Sequence, residues 1–269
     1  MDDSQKHPEV AARPQAKRVA HWWWIVSGVV AVVLAALIGF IVVVRDKGAP
    51  FPFDTRWMTE VAEDRGPVLD FLSYLMNSLG GNFLGIFVIP TVIIVVLLIM
   101  KRPWAAGYYL AATLVSSGMV QLLKKSFGRA RPEDILVQVD FGSFPSGHVG
   151  NAATMAVTLA IIFPRLWVWI SGVAYVVLMM FSRTYLGAHW LSDTIGGALL
   201  GVGVAIVVWA PFAAKLDGEH ELALQRRSAA HPPPATTQPG TTQPGTTQPG
   251  KPEPQPEPRP AEFDGETPK

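Results

Sequence analysis

Apolar residues fill long stretches of this chain, and charged residues fall mostly in the gaps between them, with Arg183 and Asp193 near stretch ends. The first stretch, 22–44, carries no charge. As a helix rising about 1.5 Å per residue it is long enough to cross a hydrocarbon core of about 30 Å. Five more stretches of similar character follow, over 83–100, 104–123, 145–163, 166–185 and 189–212. They predict an all-α membrane protein, a six-transmembrane-helix bundle over 22–212. Basic residues precede the first stretch, as in a signal peptide, but the run is too long for one and no small-x-small cleavage site follows. It reads as a retained anchor, with Trp22, Trp23 and Trp24 at the membrane interface.

Between the first two stretches the pattern changes. Residues 45–82 are broken by Pro50, Pro52 and Gly66-Pro67. Val68, Leu69, Leu72, Leu75, Met76 and Leu79 recur at helical spacing until Gly80-Gly81 ends the pattern. Asp54 can cap a helix that follows it. The segment is too short and too charged to span. It predicts an amphipathic helical pair on the extracytoplasmic membrane surface, or a soluble cap packed on the bundle. Pro90 predicts a kink in the second span.

The two ends are polar. Residues 1–21 predict a disordered cytoplasmic arm. Residues 213–269 predict a disordered tail, in which TTQPG occurs three times between Thr236 and Gly250. Such a tail is more often passive than a docking segment. Six spans put both termini on one side. Lys and Arg flank that side four times before the first span, twice in the 101–103 turn, once at Arg165 and three times after the last span. The opposite side carries nine, five of them in the motif region; with those set aside, the bias predicts a multi-pass protein of the cytoplasmic (plasma) membrane with cytoplasmic termini.

Composition adds exclusions. Only 16% of residues are charged and 49% are hydrophobic, unlike a soluble protein. The net charge of +1 argues for no nucleic-acid partner. With no cysteine, disulfides, thiolate chemistry and cysteine zinc sites are excluded.

The candidate chemistry lies at the ends of spans three to six, all on the extracytoplasmic face. His148 and His189 are the histidines outside the terminal arms. Asp193 follows His189 at i+4, which on a helix puts both on one face. A carboxylate on one imidazole nitrogen makes the other a better nucleophile; taken alone, the pair is a surface ion pair. Lys124, Arg131 and Arg183 can clamp a tetrahedral oxyanion. Lys125 and Arg129, in the same loop, read as solvated surface charges. Ser146 can cap the fourth span, and Gly147 lets an anion approach the free amides of its first turn, with His148 beside it as a proton donor.

In order, these residues form Lys-x6-Arg-Pro (Lys124, Arg131, Pro132), Pro-Ser-Gly-His (Pro145, Ser146, Gly147, His148) and Ser-Arg-x5-His-x3-Asp (Ser182, Arg183, His189, Asp193). The combination resembles the type 2 phosphatidic acid phosphatase family, PAP2, whose site is related to that of vanadium haloperoxidases. The resemblance implies an integral membrane lipid phosphatase that needs no metal or other cofactor and is inhibited by vanadate. It implies His189 as the nucleophile forming a phosphohistidine, His148 as acid and then base, and Asp193 as the group orienting His189. Lys124, Arg131, Ser146, Gly147 and Arg183 would bind phosphate. The partners implied are membrane lipids and a lipid phosphate substrate. Undecaprenyl diphosphate is the lead; phosphatidic acid, phosphatidylglycerophosphate and diacylglycerol pyrophosphate are alternatives, as is phosphotransfer between lipids. The six spans argue against a haloperoxidase, and the intact motifs argue against a non-enzymatic scaffold.

Overall fold

The computed structural model describes residues 9–46 and 48–230. The predicted arm over 1–8 and the TTQPG tail over 231–269 lie outside the described residues. The chain divides at Gln225–Arg226, and only the end of α8 belongs to the described part of the second unit. The described chain is helical, without strands: α1 (Glu9–Asp46), α2 (Pro52–Glu63), α3 (Pro67–Gly80), a π-helical turn (Leu84–Val88), α4 (Ile89–Ile99), α5 (Pro103–Phe127), α6 (Gly147–Ile162), α7 (Leu166–Tyr185) and α8 (Leu191–Ala230).

Four of these, in α1, α5, α7 and α8, are long and apolar enough to cross a membrane. A fifth crossing exists if α3 and the stretch Leu84–Ile99, bent by 47° at their junction, count as one span. At 16 residues, α6 is apolar but shorter than the others. Outward faces carry exposed apolar side chains such as Val33, Leu37, Ile99, Leu114, Ile170 and Val177, the distribution that suits lipid as solvent.

The helical pair expected within 45–82 is present as α2 and α3, broken at Gly66. Pro90 falls just after the π-helical turn. A widened turn next to a proline re-satisfies backbone groups that the missing N–H would strand, so the disturbance at this proline takes the form of a local wide turn.

Two boundaries differ from expectation. Helix α1 begins at Glu9, inside the stretch read as a disordered arm, and α8 runs on to Ala230, past the expected end at 212. The reason at α8 is visible. Residues 213–225 are rich in strong helix formers, Ala, Lys, Leu, Glu and Gln, and Leu216 and Glu219 are buried. Glu219 closes the start of α5: Trp104 N–H donates to Oε1 at 2.6 Å and Ala105 N–H to Oε2 at 3.1 Å. Arg102 Nε lies 4.0 Å from the same carboxylate.

Small residues let the helices that carry the motifs approach closely. A Cβ on Gly197 would lie 2.5 Å from the Ser146 carbonyl oxygen, and one on Gly201 would lie 2.4 Å from that of Gly150. The α6–α8 contact is therefore backbone against backbone. Thr154 donates to the Gly150 carbonyl at 2.8 Å, and its oxygen is hydrogen-bonded with the Ser116 hydroxyl at 2.8 Å, so both of these hydroxyls are satisfied.

Replacing Glu219 with Ala strands two N–H groups at the start of α5. We expect a loss of about 1–2 kcal/mol, read as a lower thermal midpoint in detergent, with Glu219→Gln intermediate.

Candidate active site

Because α5 to α8 alternate in direction, the C-termini of α5 and α7 meet the N-termini of α6 and α8 at one end. Gly128 ends α5 in the left-handed region (φ 54°), with its N–H on the Lys124 carbonyl. Gly187 turns the chain after α7 at φ 65°, where a Cβ would lie 2.0 Å from the Asp134 carbonyl oxygen. No other residue fits there. Ser146 N–H donates to the Asp193 carbonyl at 3.0 Å and joins the starts of α6 and α8.

Lys124, Arg131, Gly147, His148, Arg183 and His189 line one cavity of about 360 Å³. Lys124 and Arg131 both hold Asp140, at 2.7 Å and 2.6 Å. Burial pushes the Asp140 carboxyl up, but the hydrogen bond and charge of Lys124 and the charge of Arg131 outweigh it, holding the group below its ordinary value. Asp140 therefore stays ionised and occupies donors that an oxyanion would need. Arg183 is buried and donates through Nη1 to Asn77 Oδ1 of α3.

The nucleophile candidate is held differently from the expectation. His189 precedes α8 by two residues, so the i+4 helical geometry does not apply. Its Nδ1 lies 2.7 Å from the Ser143 carbonyl oxygen and 3.6 Å from Asp193 Oδ2. A carbonyl accepts only from an N–H, so Nδ1 carries the proton and Nε2 keeps its lone pair. Nε2 faces Arg131 Nη1 at 3.3 Å. Ser143, which sequence reasoning passed over, thus sets the tautomer through its main chain. Burial first, then the charges of Arg183, Arg131 and Lys124, hold the His189 imidazole well below its ordinary pKa.

Ser146 stands at the N-cap of α6, but its hydroxyl caps nothing. Ser146 Oγ, His148 Nε2 and Arg183 Nε are buried without a hydrogen-bond partner. Polar groups left so are rare and cost free energy unless a ligand satisfies them. Gly81 roofs His148: a Cβ there would lie 2.0 Å from Nε2.

Arg129 requires a correction. It is 2% exposed, far from the solvated surface charge expected. Its guanidinium pairs with Asp193 at 2.5 Å and with Asp54 at 2.9 Å. Asp54 does not cap a helix that follows it: α2 begins at Pro52 and its N-cap is Phe51, whose N–H donates to Asp54 Oδ2 at 3.1 Å, and Asp54 is fully buried against the site. The sequence carried one sign of this, an acidic residue in the first turn of α2; its partner lies 75 residues away. Lys125 is exposed, as expected. Among the described residues no group of three or more acidic, histidine or cysteine side chains stands together to hold a metal.

Residues 105–216 match the PAP2 superfamily. The match spans 112 of the chain's 269 residues. An undecaprenyl-diphosphatase of Sulfolobus acidocaldarius is 45% identical over 65 residues, covering 24% of this chain and 31% of the relative. A lipid A 1-phosphatase of Rhizobium etli is 35% identical over 107 residues, covering 35% of this chain and 45% of the relative. The matches to these curated relatives thus span 31% and 45% of their length. The crystal structure of a transmembrane PAP2-type phosphatidylglycerolphosphate phosphatase from Bacillus subtilis has the same fold, with a TM-score of 0.61 at 24% identity over 70% of this chain and 96% of that one. The matched segment contains the three motifs, whereas Asp54, Asn77 and Gly81 lie before it. With its apolar helices and this fold, the chain is a multi-pass membrane protein.

Two outcomes follow. Asp140→Asn frees Lys124 and Arg131, and vanadate or inorganic phosphate should bind about five- to tenfold more tightly, measured as a dissociation constant. The second concerns acid stability. The unfolded chain protonates His189 below about pH 6.5, while the folded chain resists until a lower pH. Stability conferred by the neutral ring is therefore lost as pH falls from about 6.5 toward that lower value. The thermal midpoint should drop across this window, and His189→Gln should reduce the drop.

Proposed function

We propose that this protein is a lipid phosphate phosphatase, hydrolysing a phosphomonoester or diphosphate at the extracytoplasmic face of the membrane. One observation carries the reading. Two unpartnered buried groups, His148 Nε2 and Arg183 Nε, belong to residues that line one cavity with Lys124 and Arg131 beside a neutral His189, and a third, Ser146 Oγ, lies next in sequence to the lining residue Gly147. Cationic and neutral donors around a nitrogen lone pair make a receptor for an oxyanion under nucleophilic attack.

In this reading His189 Nε2 adds to phosphorus in line as the bond to the leaving oxygen breaks, giving a phosphohistidine. His148 gives its proton to that oxygen. Water then attacks phosphorus, His148 takes its proton, the P–N bond breaks and inorganic phosphate leaves. Lys124, Arg131, Arg183, Ser146 and the Gly147 amide hold the phosphoryl oxygens through both steps. Ser143 fixes the His189 tautomer, and Asp193 supports the ring by charge. We infer no metal in the reaction.

The bundle reads as six spans with cytoplasmic termini. Helix α6 would be the short span; its 16 residues give about 24 Å, and it packs against both α5 and α7. Helices α2 and α3 would lie on the outer side over the site. The lead substrate is undecaprenyl diphosphate, whose phosphates need release at that face, and the undecaprenyl-diphosphatase relative supports it. Other relatives carry the names lipid A 1-phosphatase and phosphatidylglycerophosphatase B, which keep those lipids beside phosphatidic acid as the second choice. Transfer of the phosphoryl group to a lipid alcohol is the remaining reading of the same intermediate.

The test is phosphate release by purified protein in detergent with EDTA, across undecaprenyl diphosphate, phosphatidic acid, phosphatidylglycerophosphate and a lipid A 1-phosphate. One lipid should exceed the rest, and His189→Ala should lose at least about a thousandfold. Full activity in that variant would refute the nucleophile. His148→Ala should lose about a hundredfold or more with an alcohol leaving group and less with a phenol; equal losses refute its role as acid.

A further inference from the structure

We propose that Asp54, in α2 and outside the segment matched to PAP2, is a positioning residue for the nucleophile, acting on His189 through Arg129 and Asp193. The inference rests on the reading of His189 as that nucleophile.

The carboxylate of Asp54 is fully buried and accepts more than a helix cap requires. Oδ2 takes Arg129 Nη2 at 2.9 Å, Ser192 Oγ at 2.7 Å and the Phe51 N–H at 3.1 Å. Oδ1 takes the Ser192 N–H at 2.8 Å. Asp54 therefore grips the first turn of α8 by its main chain, three residues after His189. Arg129 passes the grip on: Nη1 bonds Ser192 Oγ at 2.7 Å and Asp193 Oδ1 at 2.5 Å. The other oxygen of Asp193 accepts the Trp190 N–H at 2.8 Å, so both ends of that carboxylate are fixed. Its Oδ2 is left 3.6 Å from His189 Nδ1, close enough to act by charge.

Charge makes this more than a clamp. Counted formally, two carboxylates and one guanidinium leave one surplus negative charge buried beside the ring. Without Asp54, Arg129 would cancel Asp193. When Nε2 gives its lone pair to an electrophile, the ring becomes positive, and the surplus negative charge stabilises it. The arrangement thus predicts an effect on bonding to His189 and little effect on Lys124, Arg131 and Arg183, none of which is bonded to Asp54.

Two anions separate these effects in the full-length protein. Orthovanadate accepts the Nε2 lone pair as a fifth ligand without losing one; inorganic phosphate only fills the cationic cradle. Asp54→Asn should weaken vanadate about tenfold or more while phosphate stays within about twofold, with kcat falling and KM steady for any lipid that is turned over. Equal weakening of both anions, or weakening of neither, overturns the proposal. If Asp54→Asn does not fold, Arg129→Lys keeps the charge, loses the two-sided fork and should show the same split; its absence overturns the proposal equally. A wild-type protein that binds vanadate but releases phosphate from no lipid refutes the phosphatase reading, and the anion comparison still decides the role of Asp54. A wild type that binds neither anion refutes both.

Discussion

A guanidinium buried between two carboxylates is the interaction on which this site depends. Arg129 is reached by Asp54 from α2 and by Asp193 from α8, all three essentially without solvent. Charges buried this deeply are tolerated only when paired and hydrogen-bonded with good geometry. That requirement reaches across the sequence. It draws the first turn of α2, the loop after α5 and the first turn of α8 to one point. The Ser192 and Phe51 amides add bonds to Asp54 and fix the backbone at two helix starts. The chemistry-bearing side chains sit around this pinned corner, with Ser143, His189 and Arg131 in the adjoining loops.

The helices supply the rest by approaching closely. The glycine contact between α6 and α8 brings Ser146, Gly147 and His148 within reach of the turn that carries His189. Helix α3 closes the other side. Ser182 donates to the Ser73 carbonyl at 2.8 Å, Arg183 to Asn77, and Gly81 lies on His148. Serine in the Ser-Arg pair thus ties α7 to α3, while the arginine beside it reaches the cavity. One end of the bundle combines rigid backbone contacts with cations aimed inward, the kind of preorganisation that favours charge stabilisation.

Much of this was legible in the sequence, for identifiable reasons. Apolar runs separated by proline, glycine and charge marked the helices, because lipid-facing and core-facing positions are both apolar. The three motifs marked the converging residues because their spacing is local. What escaped depended on partners remote in sequence or on main-chain groups. Arg129 looks like any loop cation until Asp54 is placed beside it. The acceptor for His189 is a carbonyl, which every residue has, so no residue type announced Ser143. The end of α8 was misjudged because residues 213–225 are polar, yet Glu219 finds the free amides of α5 and polar composition does not exclude a helix. Ser146 occupied the expected N-cap position but turned its hydroxyl elsewhere, a rotamer choice that sequence does not encode.

Asp140 has a consequence for how this site exchanges its occupants. The carboxylate lies on the same two cations that an oxyanion needs, and its tether to the 128–146 loop keeps it at high effective concentration there. Binding at this site is therefore a displacement of one anion by another. A small free anion, with nothing else to hold it, meets a resident competitor that never diffuses away. Under the proposed reading, a phosphate borne on a lipid brings further contacts along the helices and so can win the exchange. Severed from its lipid in that reaction, the same phosphate would lose that advantage, and the returning carboxylate would clear the cradle for the next molecule.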